Sequence, residues 1–137
     1  FQREKIGALE IHGSPDAKEA LRTIGTIGDS ALELLDADGD LLLVRVHTFR
    51  PFPAAALASA LAGVSYVTVI DRAPGFGSLG PLGSDVKALD LKDVQGATNF
   101  ICGLGGVDVT PATLRWALGQ TRSNRSNDAP VYVPEGV

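Results

Sequence analysis

A chain of 137 residues can hold one domain with a real core and is short for two. Its 45% apolar and 20% charged content suits a soluble globular protein, and a formal charge of -4 without a basic stripe argues against nucleic acid as the main partner. No apolar run approaches the roughly 18 residues of a membrane helix, no export-signal pattern opens the chain, and a single cysteine, Cys102, excludes an internal disulfide and cannot alone hold zinc or an iron–sulfur cluster; a cytoplasmic domain is expected.

The chain has no methionine and opens on Phe1, so it reads as a piece of something larger. Residues 1–19 are polar apart from an apolar pulse from Ile6 to Ile11, and read as a lead-in segment or linker. From Leu21 a short strand, LRTIG, leads through Thr26, Ile27 and Gly28 to Asp29 and Ser30, which can cap a helix. Ser30 and Glu33 have the spacing of a capping box, in which the two side chains satisfy each other's exposed backbone donors. Asp36 to Gly39 ends that helix, and LLLVRVH (Leu41 to His47) is apolar and partly β-branched, as a buried strand requires.

Pro51 and Pro53 cannot donate to a sheet, and Pro53 fits the first position of a helix over Ala54 to Ala62, closed by Gly63 in the left-handed conformation. A third strand runs from Tyr66 to Ile70, followed by a helix from Pro81 to about Leu89. Asn99 to Gly106 supplies a fourth strand that ends in glycines. Thr110 and Pro111 suit the cap and first residue of a last helix, which Gly119 should terminate; the tail from Gln120 should lie extended or partly mobile. Alternating strands and helices predict an α/β fold, with a mostly parallel β-sheet and helices on both faces. The core spans 20–119, with 120–137 as a C-terminal extension.

Between the third strand and its helix, Gly75-Phe76-Gly77-Ser78-Leu79-Gly80 spells G-x-G-x-x-G. A dinucleotide fingerprint has its first glycine at the strand end and an acidic residue at the tip of the next strand. Here Asp71-Arg72-Ala73-Pro74 intervene, and the next strand ends in Gly103-Leu104-Gly105-Gly106. The spacing also fails the P-loop pattern. The loop is better read as a backbone surface that packs against another polypeptide, with an anion site as the lesser reading; Arg72, Gly75, Gly77, Ser78 and Gly80 are its residues.

Other candidates for chemistry are sparse. His12 and His47 are far apart in sequence, without clustered carboxylates, and read as ordinary polar residues. Asp71 and Arg72 sit where ligands of open α/β sheets gather, and the simplest reading is a local ion pair that organises the loop. Cys102 lies in an apolar strand without an adjacent base, which describes an inert core thiol. Trp116 is read as core, and the glycosylation sequon Asn124-Arg125-Ser126 carries no weight without export. No Ser/His/Asp or paired-carboxylate set can be read, so no catalytic residue and no metal ligand is assigned.

Four segments taken together resemble a known family: VRVHTFRPFP (Val44 to Pro53), VTVIDRAPGFGSLGPLGSDVKAL (Val67 to Leu89), NFICGLGGVDVTP (Asn99 to Pro111) and IGTIGDSALELL (Ile24 to Leu35). In that order they resemble core domain II, the transketolase C-terminal-like domain, of pyruvate:ferredoxin and related 2-oxoacid:acceptor oxidoreductases. The resemblance covers Leu21 to Gly119 and implies a three-layer sandwich. It also implies an enzyme that decarboxylates a 2-oxoacid on thiamine diphosphate with magnesium, passes electrons through iron–sulfur clusters to ferredoxin or flavodoxin, and forms an acyl-coenzyme A. In the family those cofactors sit in other domains or subunits, and domain II mainly assembles and orients them, within an oligomer. The same residues leave open a stand-alone nucleotide- or coenzyme A-binding module and a non-enzymatic scaffold. The C-terminal domains of transketolases and 2-oxoacid dehydrogenases are close cousins, from which Arg50-Pro51-Phe52-Pro53 tilts the reading away.

Overall fold

Side chains on a strand point alternately to opposite faces, and this alternation divides the apolar residues between two cores. The computed structural model describes residues 7–37, 39–123 and 128–137. Strands β1 (Leu9–Gly13), β2 (Glu19–Ile24), β3 (Leu41–Val46), β4 (Tyr66–Asp71), β5 (Gly96–Ile101) and β6 (Val131–Tyr132) form one sheet in the order β1-β3-β2-β4-β5-β6. β1 runs antiparallel to β3, and every other pairing is parallel. Leu21, Leu41, Leu43, Ile70 and Phe100 face helices α1 (Ile27–Ala37) and α4 (Pro111–Ser123). Ala20, Leu42, Val44, Val67 and Val69 face the other way, packed with Leu57 of α2 (Ala54–Ala60) and Leu82 and Val86 of α3 (Pro81–Lys87). The expected α/β sandwich, mostly parallel with helices on both faces, is therefore present. No helix among the described residues is long and apolar enough to cross a membrane.

Several boundaries differ from the sequence reading. α1 starts at Ile27, because Gly28 and Asp29 already donate to the carbonyls of Gly25 and Thr26 (3.2 and 3.0 Å). Ser30 is thus inside the helix, and the Ser30–Glu33 capping box does not form. β5 begins at Gly96 and stops at Ile101, since Gly103, Gly105 and Gly106 turn to positive φ. Gly119 does not end α4: Thr121 Oγ1 pairs with Thr68 Oγ1 (2.7 Å) in the core, and Arg122 Nη2 donates to Glu19 (2.7 Å), so tertiary contacts carry the helix to Ser123. Beyond it, β6 adds to β5 through Phe100 and Ile101. The Thr110–Pro111 start holds, with the amide of Thr113 donating to Thr110 Oγ1 (3.2 Å), and Gly63 has the expected positive φ. Phe1 to Ile6 and the sequon Asn124-Arg125-Ser126 lie outside the described residues.

The segment read as a lead-in contains β1, and its anchor is a charged cluster. Glu10 accepts hydrogen bonds from His12 Nε2 (2.5 Å) and, across the β1–β3 pair, from His47 Nε2 (2.6 Å). Arg45 Nη1 stands 3.6 Å from the same carboxylate and reaches Asp29 through Nη2 (3.0 Å). The two histidines, distant in sequence, meet on one acceptor. These hydrogen bonds, His12 first, hold the Glu10 pKa below its ordinary value of 4.5. A depressed carboxylate pKa contributes stability above the unfolded-state value and loses it as pH falls through the folded-state value. Glu10→Gln should therefore lower the unfolding midpoint at neutral pH, and its deficit should shrink as pH drops past 4.5; urea titrations across that range measure it.

Candidate functional site

In an open parallel sheet the ligand and contact surface lies outside the carboxyl ends of the strands, where successive connections leave to opposite faces. β2 and β4 are such neighbours: the chain leaves β2 for α1 on one face and β4 for α3 on the other. Asp71, at the end of β4, is buried, and burial of a carboxylate requires donors. Its Oδ1 accepts from the backbone amide of Leu82 (3.0 Å), and its Oδ2 from the amide of Gly83 (2.9 Å) and from Asn99 Nδ2 (2.8 Å). Asn99 Oδ1 in turn accepts from the amide of Gly80 (2.8 Å). The β4–β5 register sets Asn99 opposite Val69, two residues before Asp71, which makes this diagonal contact possible.

Glycine is required at two of these points. A Cβ on Gly80 would stand 2.5 Å from Asp71 Oδ2, and one on Gly83 would collide with the Asn99 side chain. The amides at the start of α3 are thus engaged by Asp71 and Asn99 within the chain. This network replaces the expected Asp71–Arg72 ion pair, because the Asp71 carboxyl is taken up by the amides of Leu82, Gly83 and Asn99. Asp71 turns inward, while Arg72 is exposed and lies over Gly103, whose added Cβ would sit 3.0 Å from Arg72 Nε. Among the described residues Arg72 has no ion-pair partner. Ahead of α3, Gly75 and Ser78 bridge to each other, and Phe76 between Gly75 and Gly77 is fully exposed.

A second feature escaped the sequence reading. Arg22 on β2 is completely buried. Its Nη1 donates to the carbonyl of Leu82 (3.0 Å), its guanidinium lies 5.2 Å from the centre of the Phe52 ring, and Nε and Nη2 have no hydrogen-bond partner. Burial pushes its pKa down to about 10, against the favourable charges of Asp85 and Asp71. Asp85 is bonded instead to Arg50 Nη1 (2.9 Å), and Arg50 also stacks on Phe49, 4.0 Å from the ring centre. The turn from Phe49 to Pro53, with a cis Arg50–Pro51 bond, so covers Arg22. A lone arginine inside the apolar strand EALRTI was the available signal. Asn99, within GATNFI, was another.

The remaining candidates stand apart from this site or are inert. Cys102 is buried and its thiol is pushed up to about 11, chiefly by desolvation and against the lowering effect of Arg72. Trp116 meets Phe100 edge to face, with centroids 5.8 Å apart. A groove of about 270 Å³ between α3 and β5 is lined by Val86, Leu89, Leu91, Val94 and Ala97, with Lys87 and Asp128 paired at 2.6 Å beside it. Among the described residues no group of three His, Cys, Asp or Glu side chains could hold a metal ion. A four-thiolate cluster does not fit a chain with one cysteine. What the arrangement offers is a rigid root from which two loops are displayed.

The family model described as pyruvate:ferredoxin oxidoreductase core domain II matches residues 21–114. Pyruvate synthase subunit PorA of Methanothermobacter thermautotrophicus is 36% identical over 129 residues, covering 90% of this chain and 32% of that protein. PorA of Thermotoga maritima is 38% identical, with 83% and 31% covered, and the NADH-dependent phenylglyoxylate dehydrogenase subunit alpha of Aromatoleum evansii is 30% identical, with 84% and 29% covered. The chain spans about a third of the length of these curated relatives. A solved 2-oxoglutarate:ferredoxin oxidoreductase from Magnetococcus marinus, with 2-oxoglutarate, coenzyme A and succinyl-CoA bound, shares the fold with a TM-score of 0.61 and 20% identity, over 87% of this chain and 20% of that one.

Three substitutions at two positions test the energetics of the site. Asp71→Ala orphans the amides of Leu82 and Gly83, each worth about 1–3 kcal/mol when buried without a partner, and leaves the Asn99 amide only its longer bond to the Val69 carbonyl (3.4 Å). A loss of about 3 kcal/mol or more by urea titration is expected. Arg22→Met keeps an apolar stem and removes two unmet donors, so it should unfold within about 1 kcal/mol of the unsubstituted chain, whereas the cavity left by Arg22→Ala should cost about 2–4 kcal/mol.

Proposed function

This chain belongs to the pyruvate:ferredoxin oxidoreductase core domain II family, and from that premise we propose that it is the assembly domain of a thiamine-diphosphate-dependent 2-oxoacid oxidoreductase. The substrate, with pyruvate the first candidate, loses carbon dioxide on thiamine diphosphate. Two electrons pass through iron–sulfur clusters to ferredoxin or flavodoxin, and the acyl group leaves on the thiol of coenzyme A. The thiamine diphosphate with its magnesium, the clusters and the coenzyme A site belong on other domains or subunits of a cytoplasmic oligomer. The match over residues 21–114 carries this reading, supported by relatives that are named as subunits of pyruvate synthases and of a phenylglyoxylate dehydrogenase and are about three times as long.

The role of the glycine loop follows from the same premise. Gly80, Leu82 and Gly83 already donate their amides to Asn99 and Asp71, which favours a contact surface over an anion cradle for Arg72, Gly75, Gly77, Ser78 and Gly80. A Asp71 carboxylate held at the start of α3 also disfavours a bound anion there.

The deciding experiment is purification of the native complex that contains this chain, with mass spectrometry of its partners and an absorbance spectrum. A brown preparation with broad absorbance near about 400 nm, a thiamine-diphosphate-binding partner, and 2-oxoacid- and coenzyme A-dependent reduction of ferredoxin is expected. A colourless preparation with none of these activities would refute the reading.

A further inference from the structure

We propose that Phe76 anchors a docking surface for a segment of the parent subunit's own polypeptide outside residues 1–137, and that the receiving surface is an apolar socket edged by a carboxylate. The inference rests on the oxidoreductase-subunit reading above and names the contact through which such a domain would be held. Phe76 has 108% of its reference area exposed, so its ring has no burial within the chain. Five large hydrophobics are exposed among the described residues, and three of them, Phe76, Leu104 and Val107, lie on the two loops that follow the adjacent strands β4 and β5. Ile11 and Tyr132, the other two, sit on the outermost strands β1 and β6. Single exposed apolar residues need no explanation, but three on neighbouring loops at the same end of the sheet, one of them aromatic, mark an interaction surface.

The loops are also built to present these groups. The Gly75–Ser78 bridge closes the turn that carries Phe76, and its far end is fixed by the Gly80 amide on Asn99. A preorganised aromatic loses little freedom on docking, since it has only two side-chain torsions. Arg72 lies between the loops, over Gly103, as an exposed cation without an ion-pair partner among the described residues. This pairing of an apolar tip with an unopposed charge defines the chemistry of the socket. The occupant is sought in the parent subunit because the chain spans 32% of the PorA relative, which leaves about two thirds of such a polypeptide to meet it.

The test uses the full-length polypeptide with its co-purifying subunits. A photo-crosslinking residue, Phe76→p-benzoylphenylalanine, should form its covalent link to a segment of the same polypeptide outside residues 1–137, beside an aspartate or glutamate. Links to another subunit, to a second copy of this domain or only within residues 1–137, or no link at all, would overturn the proposal. Hydrogen exchange gives a second reading: peptides covering residues 72–80 and 103–108 should be protected in the assembled enzyme, and Phe76→Asp or Arg72→Glu should speed their exchange by about tenfold or more. Unchanged exchange in both variants would also overturn it. Because Phe76 is solvent-exposed, Phe76→Asp leaves the domain's own packing intact. Oxidoreductase activity, assayed on the unsubstituted preparation, reports on the family-level function separately from the contact.

Discussion

A carboxyl group inside a protein needs hydrogen-bond donors around it, and Asp71 has two backbone amides and the side-chain amide of Asn99. The bonds tie the start of α3 to the end of β4 and to β5, two strands already paired by their own ladder. They also dictate where side chains cannot be, since Gly80 and Gly83 must lack a Cβ to let α3 approach. The course of the glycine loop is a product of this approach, because its far end is fixed before its tip turns. The tip is then free to carry a residue chosen for something other than the fold.

Arg22 presents the opposite situation within the same layer. Its charge is buried with one hydrogen bond, an aromatic ring over it, and two acidic side chains near enough to be felt but occupied elsewhere. Asp71 is committed to the amides of α3, and Asp85 to Arg50. The RPFP turn and the α3 start are therefore linked electrically, through two arginines and two aspartates, as well as by packing. A buried cation held this loosely stabilises little and makes the region sensitive to any change in its neighbours.

The sequence was legible where a single local signal decided the outcome. β3 and β4 are apolar runs bounded by glycine and proline, and the Thr110–Pro111 start of α4 is a local hydrogen bond. It was misleading where a distant contact prevailed. Gly119 has the look of a terminator, yet Thr121 finds Thr68 across the core and the helix continues. β1 is short and half polar, and only its pairing with β3 and the sharing of Glu10 by two histidines make it a strand. Asn99 could not be connected with Asp71 without the β4–β5 register. Arg72 and the glycines were found as a loop, but Phe76 between them reads as filler until its exposure is known. The family resemblance, by contrast, was visible from four segments, because motifs in order survive where contacts cannot be inferred.

The strand order has a bearing on how the domain is made. β2 is the first of the two central strands to be synthesised, and β3 can cover one of its edges soon after α1 forms. Its other edge must wait for Tyr66 to Val69 of β4, which reach it only after the chain has passed through β3 and α2. During elongation an apolar strand edge thus stands open, and the pairing that closes it spans a long stretch of chain. Such non-local closure slows folding and exposes the nascent strand to association with other chains. The buried arginine on that strand places a charge in the very segment that waits, which makes a premature apolar partner a poor match for it.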